Sequence, residues 1–183
     1  MTARPALFLD RDGVINVDHD YVIKPENFLF IDGVFDLCRE AKRLGYWIFV
    51  VTNQAGIGRG YYSETDFHRL TEWMCGVFRS EGAEIDGVYF CPFHPEYGVG
   101  DYKMDSECRK PKPGMIVQAA REYEVDLCRS VLVGDKGSDI QAGLTAGVGR
   151  NFLFLPPSGR KYGAVVEGVT DKVTDLRDVI RFL

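Results

Sequence analysis

The sequence predicts an α/β fold with a central parallel sheet and helices on both of its faces. Short apolar runs rich in strand-forming residues alternate with segments whose apolar residues recur at helical spacing, which is the pattern of strands joined by crossover helices. The chain has 183 residues, of which 45% are hydrophobic and 27% charged, and it contains no repeat, low-complexity tract or linker. We therefore expect residues 1–183 to form a single domain with one functional site.

Five strands and five helical segments make up this prediction. The strands are 6–10, 47–52, 87–91, 130–135 and 151–155. The first three helices carry apolar faces formed by Val34, Leu37, Cys38, Ala41 and Leu44, by Phe67, Leu70, Met74 and Val77, and by Ile116, Ala119, Ala120 and Tyr123.

Local signals support the helix ends. Ser63 and Asp66 are spaced like the two partners of a capping box, and Pro113 suits the first turn of a helix. Residues 137–147 and 174–183 are predicted to complete the helices, and residues 155–168 are predicted to form a long surface loop.

Charge and cysteine content exclude several classes of protein. The 22 Lys and Arg residues are outnumbered by 27 Asp and Glu residues, so the net charge of −5 gives no general attraction to nucleic acid or an anionic membrane. We expect a cytoplasmic protein, because no apolar run is long enough to span a membrane and the start, MTARPALFLD, lacks a signal-peptide core. We also expect a monomer. Five cysteines are an odd number and favour reduced thiols: Cys38, Cys75, Cys91, Cys108 and Cys128.

Polar residues cluster where the predicted strands end. In open parallel sheets the ligand binds beyond the carboxyl ends of the strands. The strand ends carry Asp10, Thr52, Cys91 and Asp135, followed by Arg11, Asp12, Asn53, Gln54 and Lys136.

Asp10 and Asp12 are close enough in sequence to repel one another, and Gly13 lets the chain turn directly after them. A bound cation or a shared proton would keep both carboxylates functional. Mg²⁺ fits best because it prefers oxygen ligands and binds a few carboxylates together with substrate phosphate, and Asp135 would complete such a site. The alternative for Asp10 and Asp12 alone is a solvated turn.

Four spaced motifs then give the chain a family resemblance. "FLDRDG", "VVTNQAG", "CRKPKPG" and "VGDKGSD" fall in order between residues 6 and 147, and the chain resembles the haloacid dehalogenase (HAD) superfamily of phosphohydrolases. The resemblance implies a Rossmann-like HAD fold in which Asp10 is the nucleophile and Asp12 the general acid and base. It also implies that Thr52 and Lys110 hold the phosphoryl oxygens, and that the Mg²⁺ ligands are Asp10, Asp12 and Asp135.

Within the superfamily, the chain is similar to the branch of heptose-bisphosphate and histidinol-phosphate phosphatases. The shared stretches are "DRDGVINVDHDYV", "VTNQAGIGRG", "CPFHP", "CRKPKPGM" and "VGDKGSDIQA". Arg109 suits a second anionic group, although a surface arginine is the alternative, and His19 is equally explained as an ordinary loop histidine. The resemblance implies a substrate pocket formed by Arg11, Asp18, His19, Asp20, Tyr21, Asn53, Gln54, Arg109 and Lys136.

The expected reaction is Mg²⁺-dependent removal of the 7-phosphate of a heptose 1,7-bisphosphate in nucleotide-activated heptose synthesis, as the resemblance implies. Histidinol phosphate or another small sugar phosphate is the alternative substrate. The interval from Asp12 to Trp47 has no room for a large cap domain, which favours an open site. A receiver-like phospho-acceptor domain is the rival from another class, but its acceptor aspartate would end the third strand, where this chain has Cys91. A zinc-bearing interaction module would leave the three aspartates unexplained.

The branch commonly holds a structural zinc through Cys-x-His and Cys-x-Cys pairs, which form a closed tetrahedral set. Here Phe93 occupies the histidine position and Ser106 the first cysteine position of the second pair. We therefore expect no structural zinc, and expect the loop to be held by packing of Phe93, Tyr97 and Tyr102. The alternative is a rebuilt site of Cys91, His94 and Cys108, to which Glu107 could add an oxygen.

Overall fold

The computed structural model describes residues 3–156 and 167–183. Six parallel strands form one sheet in the order β3-β2-β1-β4-β5-β6, which confirms the predicted α/β class. The strands are β1 (Ala6–Leu9), β2 (Trp47–Asn53), β3 (Gly87–Cys91), β4 (Val131–Gly134), β5 (Arg150–Phe154) and β6 (Asp171–Val173).

The five predicted strands are present with small shifts at their ends, whereas β6 was not anticipated. β6 has three residues, and only Val173 is buried, so it is too short to show a strand pattern in sequence. The predicted helix 174–183 is instead a 3₁₀ helix, Leu176–Phe182. Of the predicted surface loop 155–168, residues 157–166 lie outside the described residues.

In the described part of the chain, five α-helices connect and cover the strands: α1 (Val34–Arg43), α2 (Ala55–Gly58), α3 (Glu64–Ser80), α4 (Gly114–Tyr123) and α5 (Gly137–Ala146). The predicted capping box is present at α3, where Asp66 N donates to the Ser63 hydroxyl and Ser63 N donates to the Asp66 carboxylate. Phe78 rather than Val77 is the buried residue at the end of that helical face. Shorter 3₁₀ turns are Pro25–Asn27, Gly100–Tyr102 and Leu127–Arg129.

The core lies on both faces of the sheet, and β1 is buried on both. Leu7 and Leu9 belong to the apolar layer on one face, while Ala6 and Phe8 belong to the layer on the other. Each large apolar side chain buried in this way contributes roughly 1.5–3 kcal/mol. The two layers therefore fix β1 and the residues that follow it.

The strand order reverses around β1. The chain places β2 and β3 on one side of β1, and then returns to place β4 on the other side. Leu9 pairs in parallel register with Val50 on one neighbour and with Val133 on the other. Ligands of open α/β sheets bind at the carboxyl ends of the strands at such a point. Asp10 and Asp135 follow the two strands that meet here.

The region between Asp12 and α1 contains no inserted cap domain: its regular structure is one 3₁₀ turn and isolated bridges. Asn16 forms two of these bridges, to Asp12 and to Phe30. At the carboxyl edge of the sheet, residues 10–33 after β1 and residues 92–113 after β3 contain 3₁₀ turns but no α-helix. Among the described residues, no helix has the length and apolarity required to cross a membrane.

Candidate active site

Three carboxylates meet at the carboxyl ends of β1 and β4. Asp10, Asp135 and Asp139 each present an oxygen within 4.8 Å of the other two, and all three are buried. Asp10 follows β1, Asp135 follows β4, and Asp139 lies in the first turn of α5. Sequence reasoning had placed Asp10 and Asp135 at this edge but had not singled out Asp139.

Gly13 permits the close approach of the first acidic loop to Asp135. Its φ is +100°, which favours glycine, and a Cβ added there would lie 2.2 Å from Asp135 Oδ2. A larger residue at position 13 would therefore push the Asp135 carboxylate away from Asp10.

Lys110 supplies the positive charge of this acidic cluster. Its Nζ donates to Asp10 Oδ1 at 2.8 Å and to the Val51 carbonyl at 2.7 Å, and forms an ion pair with Asp139 Oδ1 at 2.6 Å. Burial alone would lower the pKa of Lys110, but the charges of Asp10 and Asp139 raise it above its ordinary value. The lysine is therefore a permanent cation at the bottom of the site.

Asn53 holds the Lys110 backbone in place. Lys110 N donates to Asn53 Oδ1 at 3.0 Å, and Asn53 Nδ2 donates to the Lys110 carbonyl at 3.1 Å. This pair of bonds joins the end of β2 to the loop that follows β3, so the sheet itself positions the lysine. The Asn53 amide is thus engaged in fixing Lys110, although the resemblance had assigned it to the substrate pocket.

Asp12 lies outside the three-carboxylate cluster and is held by its own partners. Arg11 Nη2 and Asn16 Nδ2 donate to its Oδ1 at 2.9 and 3.1 Å, and Gln54 Nε2 donates to its Oδ2 at 3.0 Å. Burial would raise the pKa of Asp12, but the Arg11 charge and these hydrogen bonds hold it below its usual value. Coordination of a metal by the Asp12 carboxylate, as the resemblance implied, would require some of these bonds to break.

Arg11 is a supporting residue of Asp12. The resemblance placed it in the substrate pocket, but only 1% of the residue is exposed and its guanidinium contacts Asp12 and the Val22 carbonyl. The guanidinium thus pairs with Asp12, while its Nη1 has no hydrogen-bond partner among the described residues. The place of Arg11 in the substrate pocket stays a prediction.

Gln54 connects Asp12 to Thr52. Besides its bond to Asp12, Gln54 Nε2 donates to Thr52 Oγ1 at 2.8 Å, and the Tyr62 hydroxyl donates to Gln54 Oε1 at 2.5 Å. The tyrosine bond fixes which end of the amide faces the two acceptors. Thr52, predicted from its strand end, therefore lies in the same network as Asp12, whereas Tyr62 and Asn16 were not predicted.

The outer rim of the site is formed by the loop 18–21 and by Lys136. Lys136 Nζ lies 3.4 Å from Asp18 Oδ2 and 3.5 Å from Asp135 Oδ2. Asp20 and Tyr21 both have positive φ values, of 56° and 55°, which non-glycine residues rarely adopt in succession. His19, Asp20 and Tyr21 are exposed and line a surface groove. Asp18 is therefore connected to the acidic cluster through Lys136, and Tyr21 lies with Tyr62 beside Gly56, whereas the assignment of His19 and Asp20 to the substrate pocket stays a prediction.

Residues 92–113, which join β3 to α4 and are called the cysteine loop here, carry both Arg109 and Lys110. Lys110 points into the buried cluster, while the half-buried Arg109 donates to the Phe93 carbonyl at 3.2 Å. Cys91 and Cys108 share a hydrogen bond, with their sulfur atoms 2.7 Å apart, and Ser106 Oγ lies 3.0 Å from Cys108 Sγ. The Nδ1 of His94, the third member of the alternative zinc site, accepts hydrogen bonds from the backbone N–H groups of Glu96 and Tyr97.

The buried carboxylates have the chemistry of a Mg²⁺ site. Burial raises the pKa of Asp10, and burial together with the Asp10 charge raises the pKa of Asp135 to about 8. The three buried carboxylates face two cations, Lys110 and Lys136, and a hard divalent cation with oxygen ligands would balance the remaining negative charge. Asp139 is already occupied by Lys110 and by Lys136 N, so Asp10 and Asp135 are the carboxylates best placed to hold Mg²⁺.

Comparison with known proteins gives matches at three levels. The model of the HAD-hydrolase-like family matches residues 107–150. The D-glycero-alpha-D-manno-heptose-1,7-bisphosphate 7-phosphatase of Burkholderia mallei (strain ATCC 23344) is 59% identical over 178 residues, which cover 97% of this chain and 93% of the relative. The D-glycero-beta-D-manno-heptose-1,7-bisphosphate 7-phosphatase of Haemophilus influenzae (strain ATCC 51907 / DSM 11121 / KW20 / Rd) is 46% identical over 181 residues, which cover 97% of this chain and 97% of the relative.

A solved structure agrees with these sequence matches. The D,D-heptose 1,7-bisphosphate phosphatase of B. bronchiseptica, complexed with magnesium and phosphate, superimposes with a TM-score of 0.82 at 31% identity. The alignment covers 97% of this chain and 96% of that one. The likeness therefore extends over the whole fold, including the carboxyl edge of the sheet that carries the acidic cluster.

Proposed function

Because the chain belongs to the heptose-1,7-bisphosphate 7-phosphatases of the HAD superfamily, we propose that it hydrolyses the 7-phosphate of D-glycero-D-manno-heptose 1,7-bisphosphate through an aspartyl-phosphate. The product would enter the synthesis of nucleotide-activated heptose. The observation that carries the reaction class is the contact of Lys110 with Asp10 inside the acidic cluster at the point where the strand order reverses. The substrate is supported by the names of the relatives.

In the first half of the reaction, an Asp10 carboxylate oxygen attacks the phosphorus atom of the 7-phosphate. The bond between phosphorus and the C7 oxygen breaks, and that oxygen takes a proton from Asp12. Asp12 must therefore be protonated when the substrate is bound, although Arg11 favours its ionised form in the free protein. The dianionic phosphate brings negative charge next to Asp12, which raises the proton affinity of its carboxylate.

In the second half, the Asp12 carboxylate accepts a proton from a water molecule as the water oxygen attacks the phosphorus of the aspartyl-phosphate. The acyl-phosphate bond breaks, which regenerates Asp10 and releases inorganic phosphate. Gln54 and Arg11 keep the Asp12 carboxylate oriented through both halves by their hydrogen bonds.

Thr52 and Lys110 are suited to hold the phosphoryl oxygens, since the charged Lys110 contacts Asp10 and Thr52 belongs to the hydrogen-bond network of Asp12. Bound Mg²⁺ would supply positive charge that reduces the repulsion between the phosphate dianion and Asp10. Phosphoryl transfer depends mainly on alignment and charge balance, and these residues provide both.

The α-anomer of the bisphosphate is the better-supported substrate. The relative named for the alpha compound is 59% identical over 97% of the chain, whereas the one named for the beta compound is 46% identical over the same share. Histidinol phosphate remains the alternative from the same branch, because an open site bounded by short loops suits several small phosphates.

Phosphate release from both heptose 1,7-bisphosphate anomers and from histidinol phosphate, with and without Mg²⁺, tests the proposal. We expect repeated, Mg²⁺-dependent turnover and the highest kcat/KM on the α-anomer. Release that stops at one phosphate per chain would instead indicate a receiver-like phospho-acceptor. A higher kcat/KM on histidinol phosphate than on either heptose would overturn the substrate assignment.

A further inference from the structure

We propose that Arg59 determines substrate specificity by binding, together with Arg109, the phosphate group that is not hydrolysed. This inference rests on the proposed function, because a second phosphate is present only in a bisphosphate substrate. The resemblance pointed to Arg109 alone as a partner of a second anion. Arg59 enters because of where the fold places its side chain.

The backbone of Arg59 is fixed against the loop that carries Arg109. Arg59 directly follows α2, a helix that begins right after Gln54. Val99 N donates to the Gly58 carbonyl at 2.8 Å, and a Cβ at Gly58 would lie 2.5 Å from the Pro92 carbonyl oxygen, so the two segments pack in direct contact. Arg59 therefore lies where the segment that follows β2 packs against the cysteine loop.

The Arg59 side chain is held between two tyrosines, Tyr97 and Tyr21. Its guanidinium lies over the ring of Tyr97, 4.5 Å from the ring centre, and its Nη1 donates to the Tyr21 hydroxyl at 3.2 Å. Tyr21 in turn packs edge-on against Tyr61 at 4.7 Å between ring centres. Aromatic rings orient a guanidinium without neutralising its charge. Tyr21 also belongs to the loop 18–21 at the rim of the site, so the cation is placed at that rim.

Arg59 also retains hydrogen-bonding capacity. Its Nε is buried and, within residues 3–156 and 167–183, has no hydrogen-bond partner. A buried donor without a partner is costly, and an anion that reached the guanidinium would satisfy it. Phosphate oxygens match the fork of donors that an arginine presents.

Arg109 adds a second cation near the first. The contacts found for the two guanidinium groups in the described part of the chain are with neutral groups: Tyr21 and Tyr97 for Arg59, and the Phe93 carbonyl for Arg109. Burial and the repulsion from Arg59 lower the pKa of Arg109, while the charges of the Cys91 and Cys108 sulfurs raise it. Both arginines also lower the pKa of His94, beyond the effect of burial. Two guanidiniums that repel each other favour a ligand with at least two negative charges.

The other cation of the rim is less available. Lys136 already lies within ion-pair distance of Asp18 and Asp135. The buried cluster with Asp10 and Lys110 is occupied by the phosphate that reacts. A second phosphate on the same sugar must then bind farther out, where Arg59 and Arg109 carry positive charge and form no ion pair with a carboxylate in the described part of the chain.

The experiment compares two substrates that differ only in the second phosphate, the heptose 1,7-bisphosphate and the heptose 7-phosphate. The measured quantity is the ratio of kcat/KM for the bisphosphate to kcat/KM for the monophosphate. Arg59→Ala should lower this ratio about tenfold or more, as expected for loss of a charge-assisted hydrogen bond. Arg59→Lys, which keeps the charge but not the planar fork, should give an intermediate ratio.

Arg121→Ala is the matched control, because Arg121 is an exposed arginine of α4 outside the proposed site, and its ratio should equal that of the wild type. An unchanged ratio in Arg59→Ala would overturn the inference, and so would equal losses on both substrates, which would indicate a structural effect. Thermal unfolding of each variant verifies that the folded protein is assayed. Absence of bisphosphate hydrolysis in the wild type would instead refute the proposed function.

Discussion

Lys110 and Asp10 are 100 positions apart in sequence, yet Lys110 Nζ lies 2.8 Å from Asp10 Oδ1. The contact is buried: 3% of the lysine side chain and 7% of the aspartate side chain are exposed. β1 and β2 supply the aspartate and the Val51 carbonyl that receive the ammonium group, and Asn53 fixes the lysine backbone. A buried charge pair of this kind is maintained only if both partners are present, because a single unpaired charge is costly.

Replacement of Lys110 by Met should reduce kcat about a hundredfold or more and change KM much less. The lysine charge is needed most in the transition state, when the phosphoryl oxygens and the leaving oxygen gain negative charge. Steady-state kinetics with saturating Mg²⁺ measures both constants. An unchanged kcat with a raised KM would reassign Lys110 to simple substrate binding.

Lys112→Met provides the control for this variant. Lys112 is two residues away, but a third of its side chain is exposed and it pairs with the surface residues Asp105 and Glu107. Exposed pairs contribute little to stability, so kcat and the melting temperature should stay near the wild-type values. Lys110→Met, in contrast, should also melt at a lower temperature, because it leaves Asp10 and Asp139 without their buried cation.

Asp10→Asn should abolish turnover, with a loss of more than about 10⁴-fold in kcat. Asparagine keeps the shape of the side chain but lacks the negative oxygen that attacks phosphorus. Phosphate release and trapping of a phosphorylated chain on rapid acid quench are the measurements. Near-normal release by this variant would show that Asp10 is not the nucleophile.

The position of Asp10 was predictable because strand ends in a parallel sheet share one edge. The same reasoning placed Thr52 and Asp135 correctly beside it, since each follows a buried apolar run that sequence alone identifies. Lys110 follows no strand, so only the family resemblance located it. Its geometry depends on hydrogen bonds between Asn53 and the Lys110 backbone, which no local pattern encodes.

The residues that sequence reasoning missed act through tertiary contacts. Asp139 stands in the first turn of α5, where an acidic residue is expected merely as a helix cap, and it does accept a bond from Lys136 N. Tyr62 and Asn16 reach the Asp12 network from loops, and Arg59 looks like any surface arginine in sequence. For Asp139, a signal was available in sequence, because it is the second acidic residue of the motif "VGDKGSD".

Gly13→Ala should weaken Mg²⁺ activation about tenfold. The added methyl group would meet Asp135 Oδ2 at 2.2 Å and displace the carboxylate that we propose as a Mg²⁺ ligand. Changes in the groups that orient metal ligands typically cost 10- to 100-fold in metal affinity. Activity as a function of Mg²⁺ concentration gives the activation constant.

Gly45→Ala separates this effect from backbone strain. Gly45 also has a positive φ, +84°, but an added Cβ would have no atom within 4 Å among the described residues. Both variants should lose roughly 1–2 kcal/mol of unfolding free energy from the left-handed backbone conformation. Only Gly13→Ala should need more Mg²⁺. Equal activation constants in the two variants would argue against Asp135 as a ligand.

Cys108 should react with iodoacetamide as a thiolate down to about pH 6. The hydrogen bond shared with Cys91, opposed by burial and aided by Ser106, lowers the pKa of the Cys108 thiol to about 6. Because a lowered pKa keeps the thiolate populated at neutral pH, alkylation should fall off only as the pH drops through about 6. Cys91→Ala removes the shared hydrogen bond, so the midpoint should move to higher pH. Mass spectrometry assigns the modified residue, and an unmoved midpoint would contradict the proposed hydrogen bond.

Purified protein should contain well under one zinc ion per chain, and a chelator should leave its melting temperature unchanged. The Cys91 and Cys108 sulfur atoms contact each other. Phe93 and Ser106 stand where related phosphatases commonly have a zinc-binding histidine and cysteine. His94 Nδ1 accepts two backbone hydrogen bonds. Two thiols alone hold zinc too weakly to contribute the folding energy of a complete site.

The double variant Phe93→His with Ser106→Cys supplies the positive control. It restores the Cys-x-His and Cys-x-Cys pairs in the loop that Cys91 and Cys108 already bring together, so it should bind about one zinc and melt at a higher temperature with the metal than without it. Failure of the double variant to bind zinc would show that the loop geometry, and not only the ligand types, has diverged. Stoichiometric zinc in the wild type that survives dialysis would establish a rebuilt site, with ligands beyond the two cysteines.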